Sequence, residues 1–301
     1  MVCLLMSAGI GARSAQAQSP EASLAEEMAT PRTIDALNSV WLEELTWLEV
    51  RDLLREGTTT AIVATGGIEQ NGPWLALGKH NYVLQLACEE MARALGDALC
   101  APIIKLVPEG GFDPPSGHMR YPGTLSLSAE TFEAVLTDVA RSLATHGFET
   151  IVFIGDSGGN QRGMAAVAER LNDEWGASRV LYVPEFYRYA EVFTFMKEEL
   201  GIVEPQSDGI HDDFVISSIL MGLDPMLVRH PQRLATGQAT INGLSLEPVD
   251  EVVEIGRRLL EFRVEMTVDA IRAARSPDAS GADASNPEAS NPEAPGPDTR
   301  D

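Results

Sequence analysis

The strongest constraint on this chain is a unit that recurs four times: a short apolar run, a loop, and then a helical pattern. Runs at 59–65, 101–107, 150–155 and 179–183 have strand character, and helical periodicity follows at 82–95, 128–145, 162–175 and beyond 183. Parallel strands need a crossover between them, so this alternation predicts a mostly parallel sheet with helices on both faces. The expected fold class is α/β, a three-layer α/β/α sandwich. A further helix is expected from Trp41 to Leu54, ending before Gly57, and others over His211–Leu223 and Val249–Ala274.

With 301 residues, 44% of them hydrophobic, one large core is affordable and no run reaches the length of a membrane span. Four segments are expected. Residues 1–17 end in Ala15-Gln16-Ala17, a small-x-small cleavage pattern, and read as a signal peptide that sends the protein out of the cytoplasm to the periplasm. Residues 18–35 read as an exposed arm, 36–275 as the folded domain, and 276–301 as a disordered tail. That tail repeats Ala-Ser-Asn-Pro-Glu and holds no large apolar residue to offset its ordering entropy. The net charge of −23 argues against nucleic acid and anionic membrane as partners. Cys88 and Cys100 read as two buried thiols ahead of a disulfide, which an oxidising compartment would still permit.

Open α/β sheets bind ligands beyond the carboxyl ends of their strands, and chemistry-bearing residues gather at those positions here. After the first strand, Thr65 to Asn81 supplies Glu69, Asn71, Trp74, Lys79 and His80. After the second, the long loop 108–124 carries His118 and Tyr121, and loops of that length in compact domains are functional or disordered. After the third, Asp156-Ser157-Gly158-Gly159-Asn160 turns into a helix, with Asp156 either a site residue or a helix cap. His211-Asp212-Asp213 stands at a helix start, where the acids serve either the histidine or the helix. His146 reads as a helix-terminal residue before Gly147, and His230 as a surface residue.

The segments Glu69-Gln70-Asn71-Gly72-Pro73, His118-Met119-Arg120-Tyr121-Pro122-Gly123-Thr124, Gly155-Asp156-Ser157-Gly158-Gly159-Asn160 and His211 to Ser218 resemble, in order and spacing, the four signatures of the creatininase family. The resemblance implies a metal-dependent amidohydrolase, an α/β/α fold and a homo-oligomer. It also exposes departures. Asn71 and Trp74 stand where the family has histidines, His80 aligns with a metal-bridging aspartate, Ser157 with a ligand histidine, and Phe214 with a glutamate.

A rebuilt site is expected on that basis. Glu69, His80 and Asp156 would hold one divalent ion, zinc first and manganese or iron as alternatives, with an open position for water. Glu69, His211 and Asp212 form the expected catalytic set, His211 passing a proton to the leaving nitrogen while Asp212 or Asp213 orients it. Asn71, Trp74, Lys79, His118, Tyr121 and Asn160 are the expected substrate contacts. The reaction expected is hydrolysis of a C–N bond in a small amide, cyclic amides included. Two alternatives are a lactone or ester hydrolase and a non-catalytic periplasmic binding protein on the same fold.

Overall fold

The computed structural model describes residues 20–276 except 178, 206 and 208. The signal sequence expected at 1–17 and the tail beyond Ser276 lie outside the described residues. The chain separates into two compact units, 1–37 and 38–301. In the first, the described segment carries α1 (Pro20–Met28), on which Leu24 and Met28 are exposed.

In the second unit the elements run α2 (Trp47–Arg55), β1 (Thr60–Thr65), α3 (Lys79–Leu95), β2 (Ala98–Cys100), α4 (Ala129–Thr145), β3 (Thr150–Gly155), α5 (Gly158–Trp175), β4 (Val180–Tyr182), α6 (Tyr189–Leu200), α7 (Phe214–Leu223), α8 (His230–Ala235), the ribbon β5 (Thr240–Ile241) and β6 (Leu244–Ser245), and α9 (Val249–Arg275). The main sheet has the order β2-β1-β3-β4, and every pair in it is parallel. Alternation along the strands sends Ile62, Ala64, Val152 and Ile154 to one face, where they meet apolar residues of α3, α6, α7 and α9. Ala61, Val63, Ile151 and Phe153 face α4 and α5 on the other side. Three layers result, as the strand–helix alternation predicts.

Several boundaries differ from the sequence reading for local reasons. The second strand is confined to Ala98–Cys100, while 101–107 runs on as extended chain with single bridges Thr65–Ile104 and Val107–Ser126. Pro102 has no N–H to give, so the ladder cannot continue through it. α3 begins at Lys79 after Gly78, which moves Lys79 and His80 from the loop onto the first helical turn. α5 takes in Gly158 and Gly159 as its first residues. α7 begins after His211, and Asp213 caps it by accepting from the Ile216 N–H at 2.6 Å.

Cys88 and Cys100 form a disulfide between α3 and β2, with Cα atoms 6.1 Å apart, which corrects the expectation of two free thiols. The pairing comes from the packing of helix on sheet, and neither cysteine's neighbours in sequence signal it. His230 is buried at the start of α8 with Nε2 3.0 Å from Glu247 Oε1, so it is no surface residue. α7 and α9 cross very closely, because a Cβ on Gly256 would stand 2.3 Å from the Ser218 carbonyl. No described helix is long and apolar enough to cross a membrane.

Candidate active site

The loop from Gly66 to Gly78 joins β1 to α3 and is braced from within. Gly67 N–H donates to Asn81 Oδ1 at 3.2 Å, and Asn81 Nδ2 donates back to the Gly67 carbonyl at 2.7 Å. A Cβ at Gly66 would lie 2.1 Å from the same Asn81 oxygen, so only glycine lets that amide approach. Asn71, an expected substrate contact, is fully buried and its Nδ2 donates to the carbonyls of Glu69 and Ala76 at 3.0 and 3.1 Å. Asn160, another, ties α5 to the end of β1 by donating to the Gly66 carbonyl at 2.8 Å and to the Thr65 carbonyl at 3.1 Å. Both amides therefore hold the loop.

This bracing presents Glu69 at the centre of a buried charge cluster. His80 Nε2 and Lys79 Nζ lie 2.9 and 3.6 Å from Glu69 Oε1, and His118 Nε2 lies 3.4 Å from Oε2. Burial favours a neutral Glu69, but the charge and hydrogen bond of His80, with Lys79 and His118, hold it well below the usual carboxylate range. His80 Nδ1 reaches Asp156 Oδ2 at 2.9 Å. Burial opposes the imidazolium, yet the two carboxylates raise its pKa. Asp156 in turn receives Arg263 Nη2 and the Tyr189 hydroxyl on Oδ1. Burial pushes the Asp156 carboxyl up, and Arg263 and His80 together bring it below its ordinary value.

Glu69, His80 and Asp156 thus come together, as the sequence suggests, but as a hydrogen-bonded chain and not as three donors aimed at one point. Both nitrogens of His80 are taken by carboxylates, and both oxygens of Asp156 are taken by cations or Tyr189. With both ring nitrogens engaged, His80 has no lone pair left for an ion in this arrangement. This arrangement gives His80 and Asp156 a hydrogen-bonding part in place of the ligand part read from the sequence.

Among the described residues, Glu69, His118 and His211 offer ligand atoms that all lie within 4.8 Å of one another. The two rings stack with centroids 4.6 Å apart, and both histidines are partly exposed. Gln70 holds them from behind. Its carbonyl oxygen lies 3.0 Å from His211 Nδ1, and its Nε2 lies 3.4 Å from His118 Nδ1. Burial pushes His211 down to about 4, with Lys79 adding to the effect and Glu69 opposing it. Burial also lowers His118, although Glu69 opposes it. Neutral imidazoles beside an ionised carboxylate are the donor chemistry of a catalytic zinc site that leaves a position for water. The residues fit one such ion.

The orienting carboxylate expected for His211 is engaged elsewhere. Asp212 pairs with buried Arg233 at 2.9 Å, and Asp213 caps α7, so the Gln70 carbonyl orients the ring. Trp74 packs under the Arg233 guanidinium, 5.7 Å from its ring centre, and Tyr121 is exposed. Glu109 is the residue that the sequence reading passed over. Burial, then the charge and hydrogen bond of Glu69, push it to about 10, so it stands beside Glu69 as a neutral acid. Its signal was a lone carboxylate between an apolar run and Gly110-Gly111. Arg263 had one too, a charge on the apolar stripe of α9 beside Leu259, Leu260 and Thr267.

Residues 43–290 match the family model described as creatininase, creatinine amidohydrolase. The chain belongs to the creatininase family. Members of the creatininase family are metal-dependent amidohydrolases. Creatinine amidohydrolase of Pseudomonas putida is 23% identical over 261 residues, covering 79% of this chain and 98% of its own. A mycofactocin precursor peptide peptidase of Mycolicibacterium smegmatis is 24% identical over 227 residues, covering 73% of this chain and 87% of its own. Among solved structures, a mutant creatininase of the Zn-Zn type superposes with a TM-score of 0.59 at 22% identity, over 80% of this chain and 100% of that one. A manganese creatininase gives 0.59 at 23% identity over the same shares. These likenesses agree with the three layers and parallel sheet found here.

Proposed function

We propose that this protein is an exported amidohydrolase that cleaves the C–N bond of a small amide, cyclic amides included, with one divalent ion held by Glu69, His118 and His211. The observation that carries the reading is the convergence of those three side chains at the carboxyl edge of the sheet. Zinc suits a carboxylate with two imidazoles, and manganese or iron would also be accepted. When bound, the ion supplies a water of lowered pKa and polarises the amide carbonyl.

The chain's own residues do the rest. Gln70 fixes the two imidazoles through the Nδ1 of each. The braced loop positions Glu69, and His80 and Lys79, 2.9 and 3.6 Å from its Oε1, hold it ionised. Glu109, pushed up to about 10 by burial and by Glu69, keeps its proton beside that carboxylate and is the candidate donor to a departing nitrogen. Export is supported by Ala15-Gln16-Ala17 and by the Cys88–Cys100 disulfide, a bond that persists in oxidising compartments.

The test is hydrolysis of a panel of small linear and cyclic amides and lactones by the chain lacking its first seventeen residues, with metal content measured by elemental mass spectrometry. Amide cleavage that a chelator abolishes and the added ion restores is expected. Lactone cleavage alone would replace the amide reading with an ester one. Tight ligand binding without turnover would make the protein a binding protein.

A further inference from the structure

One solved relative is of the Zn-Zn type, whereas in this chain Glu69 Oε1 is already engaged by His80 and Lys79. The two oxygens of Glu69 face different partners. Oε1 accepts from His80 Nε2 at 2.9 Å and lies 3.6 Å from Lys79 Nζ and 3.9 Å from His211 Nδ1, while Oε2 is turned to His118. His80 faces a carboxylate oxygen with each ring nitrogen, and two donated hydrogen bonds require both N–H groups. Beyond Asp156 stands Arg263, completely buried. Three protein cations therefore line the inner side of the cluster, against the two carboxylates Glu69 and Asp156.

Lys79 is the unusual member. Its side chain is 3% exposed, and its Nζ lies 3.6 Å from Glu69 Oε1. A buried ammonium without a carboxylate is very costly, so Lys79 is held where it is by the same group that faces the candidate ion. Any ion joining Glu69 meets the Lys79 charge close beside that carboxylate, in a region of low dielectric. The His80 ring and the Lys79 ammonium both stand against Glu69 Oε1.

We infer that Lys79 is a built-in countercharge that confines this site to one divalent ion and weakens the hold on that ion. The inference rests on the Glu69, His118 and His211 reading above. It accounts for the loss of histidines at Asn71 and Trp74, because no second ion needs them. It also gives the position of Lys79 a role in ion affinity and not in substrate contact.

The experiment is a titration of the metal-free protein with zinc alone and manganese alone, in competition with a chromogenic chelator, on wild type, Lys79→Met, Lys79→Gln and the surface control Lys105→Met. Thermal melts check that each variant is folded, and Lys79→Gln serves if Lys79→Met is not. One ion per wild-type chain is expected. Either Lys79 variant should bind tighter by roughly tenfold or more, from the removed repulsion at short range, and Lys105→Met should match wild type. Binding only in the Lys79 variants would support the countercharge even more directly. One ion at equal or weaker affinity in the folded Lys79 variants would overturn the inference and leave the one-ion site standing. Two ions in wild type would overturn the inference through the count. No ion in any protein would overturn both the inference and the site.

Discussion

Replacing Arg263 with Met tests the buried chain that ends at Asp156. The guanidinium is wholly buried and donates through Nη2 to Asp156 Oδ1 and to the Phe186 carbonyl, the latter at 2.8 Å. Methionine fills most of the same space, so the loss is chiefly electrostatic. Breaking a buried pair costs about 3–5 kcal/mol, because the remaining charge is left uncompensated. Asp156 keeps His80 at 2.9 Å and Tyr189 at 3.3 Å, which places the pair at the low end. The stranded Phe186 carbonyl adds about 1 kcal/mol. The sum, about 4 kcal/mol, corresponds to a fall in Tm of roughly 8–16 °C for a domain of this size. Urea unfolding followed by circular dichroism reads it directly. Asp156→Leu combined with Arg263→Met should cost less than the two single changes added together. A loss under about 1 kcal/mol for Arg263→Met alone would mean that Asp156 is not held as described.

Four other outcomes follow from the same geometry. Asp156→Asn should leave one ion bound per chain, measured by elemental mass spectrometry, whereas His118→Ala and His211→Ala should lose it. Glu109→Gln should change stability by no more than about 1 kcal/mol in urea unfolding, because the acid it replaces is already neutral beside Glu69. His211 titrates near 4 in the folded chain and near its ordinary value when unfolded, so below neutrality the unfolded state binds the extra proton. Wild type should therefore lose stability against His211→Ala as pH falls from about 6.5 towards 4. Opening the Cys88–Cys100 bridge, which closes a loop of sequence separation 12, should cost roughly 2–3 kcal/mol in melts with and without reductant.

The architecture was legible in sequence because it rests on periodicity. Strand and helix signatures at 59–65, 150–155, 128–145 and 249–274 are local patterns, and the structure keeps each to within a residue or so. Single residues changed the rest. Pro102 cut the second strand short, and Gly158 and Gly159 were absorbed by a helix whose packing outweighs their propensity. The ligand set was harder to read, since it depends on which way a side chain points after α3 starts. Placing Lys79 and His80 on the helix turns them inward beneath Glu69, and the candidate donors become histidines from two later loops. His118 and His211 were visible as unusual residues, but nothing in the chain order says that they stack. Glu109 and Arg263 were overlooked because each is ordinary in its own segment and becomes informative only beside a partner far away in sequence.

The start of α3 carries a further meaning. A helix favours acids in its first turn, and α3 opens instead with Lys79 and His80 and has no acid there. Taken alone, that turn is electrostatically frustrated, with like charge at the positive end of the peptide dipoles. Glu69 and Asp156 relieve it from outside the helix, so the groups at the candidate site also act as a remote cap for α3. Removing Glu69 would then fray the helix that carries Cys88 and packs on α9. Loss of activity in such a variant would report on a loosened scaffold as much as on a missing ligand.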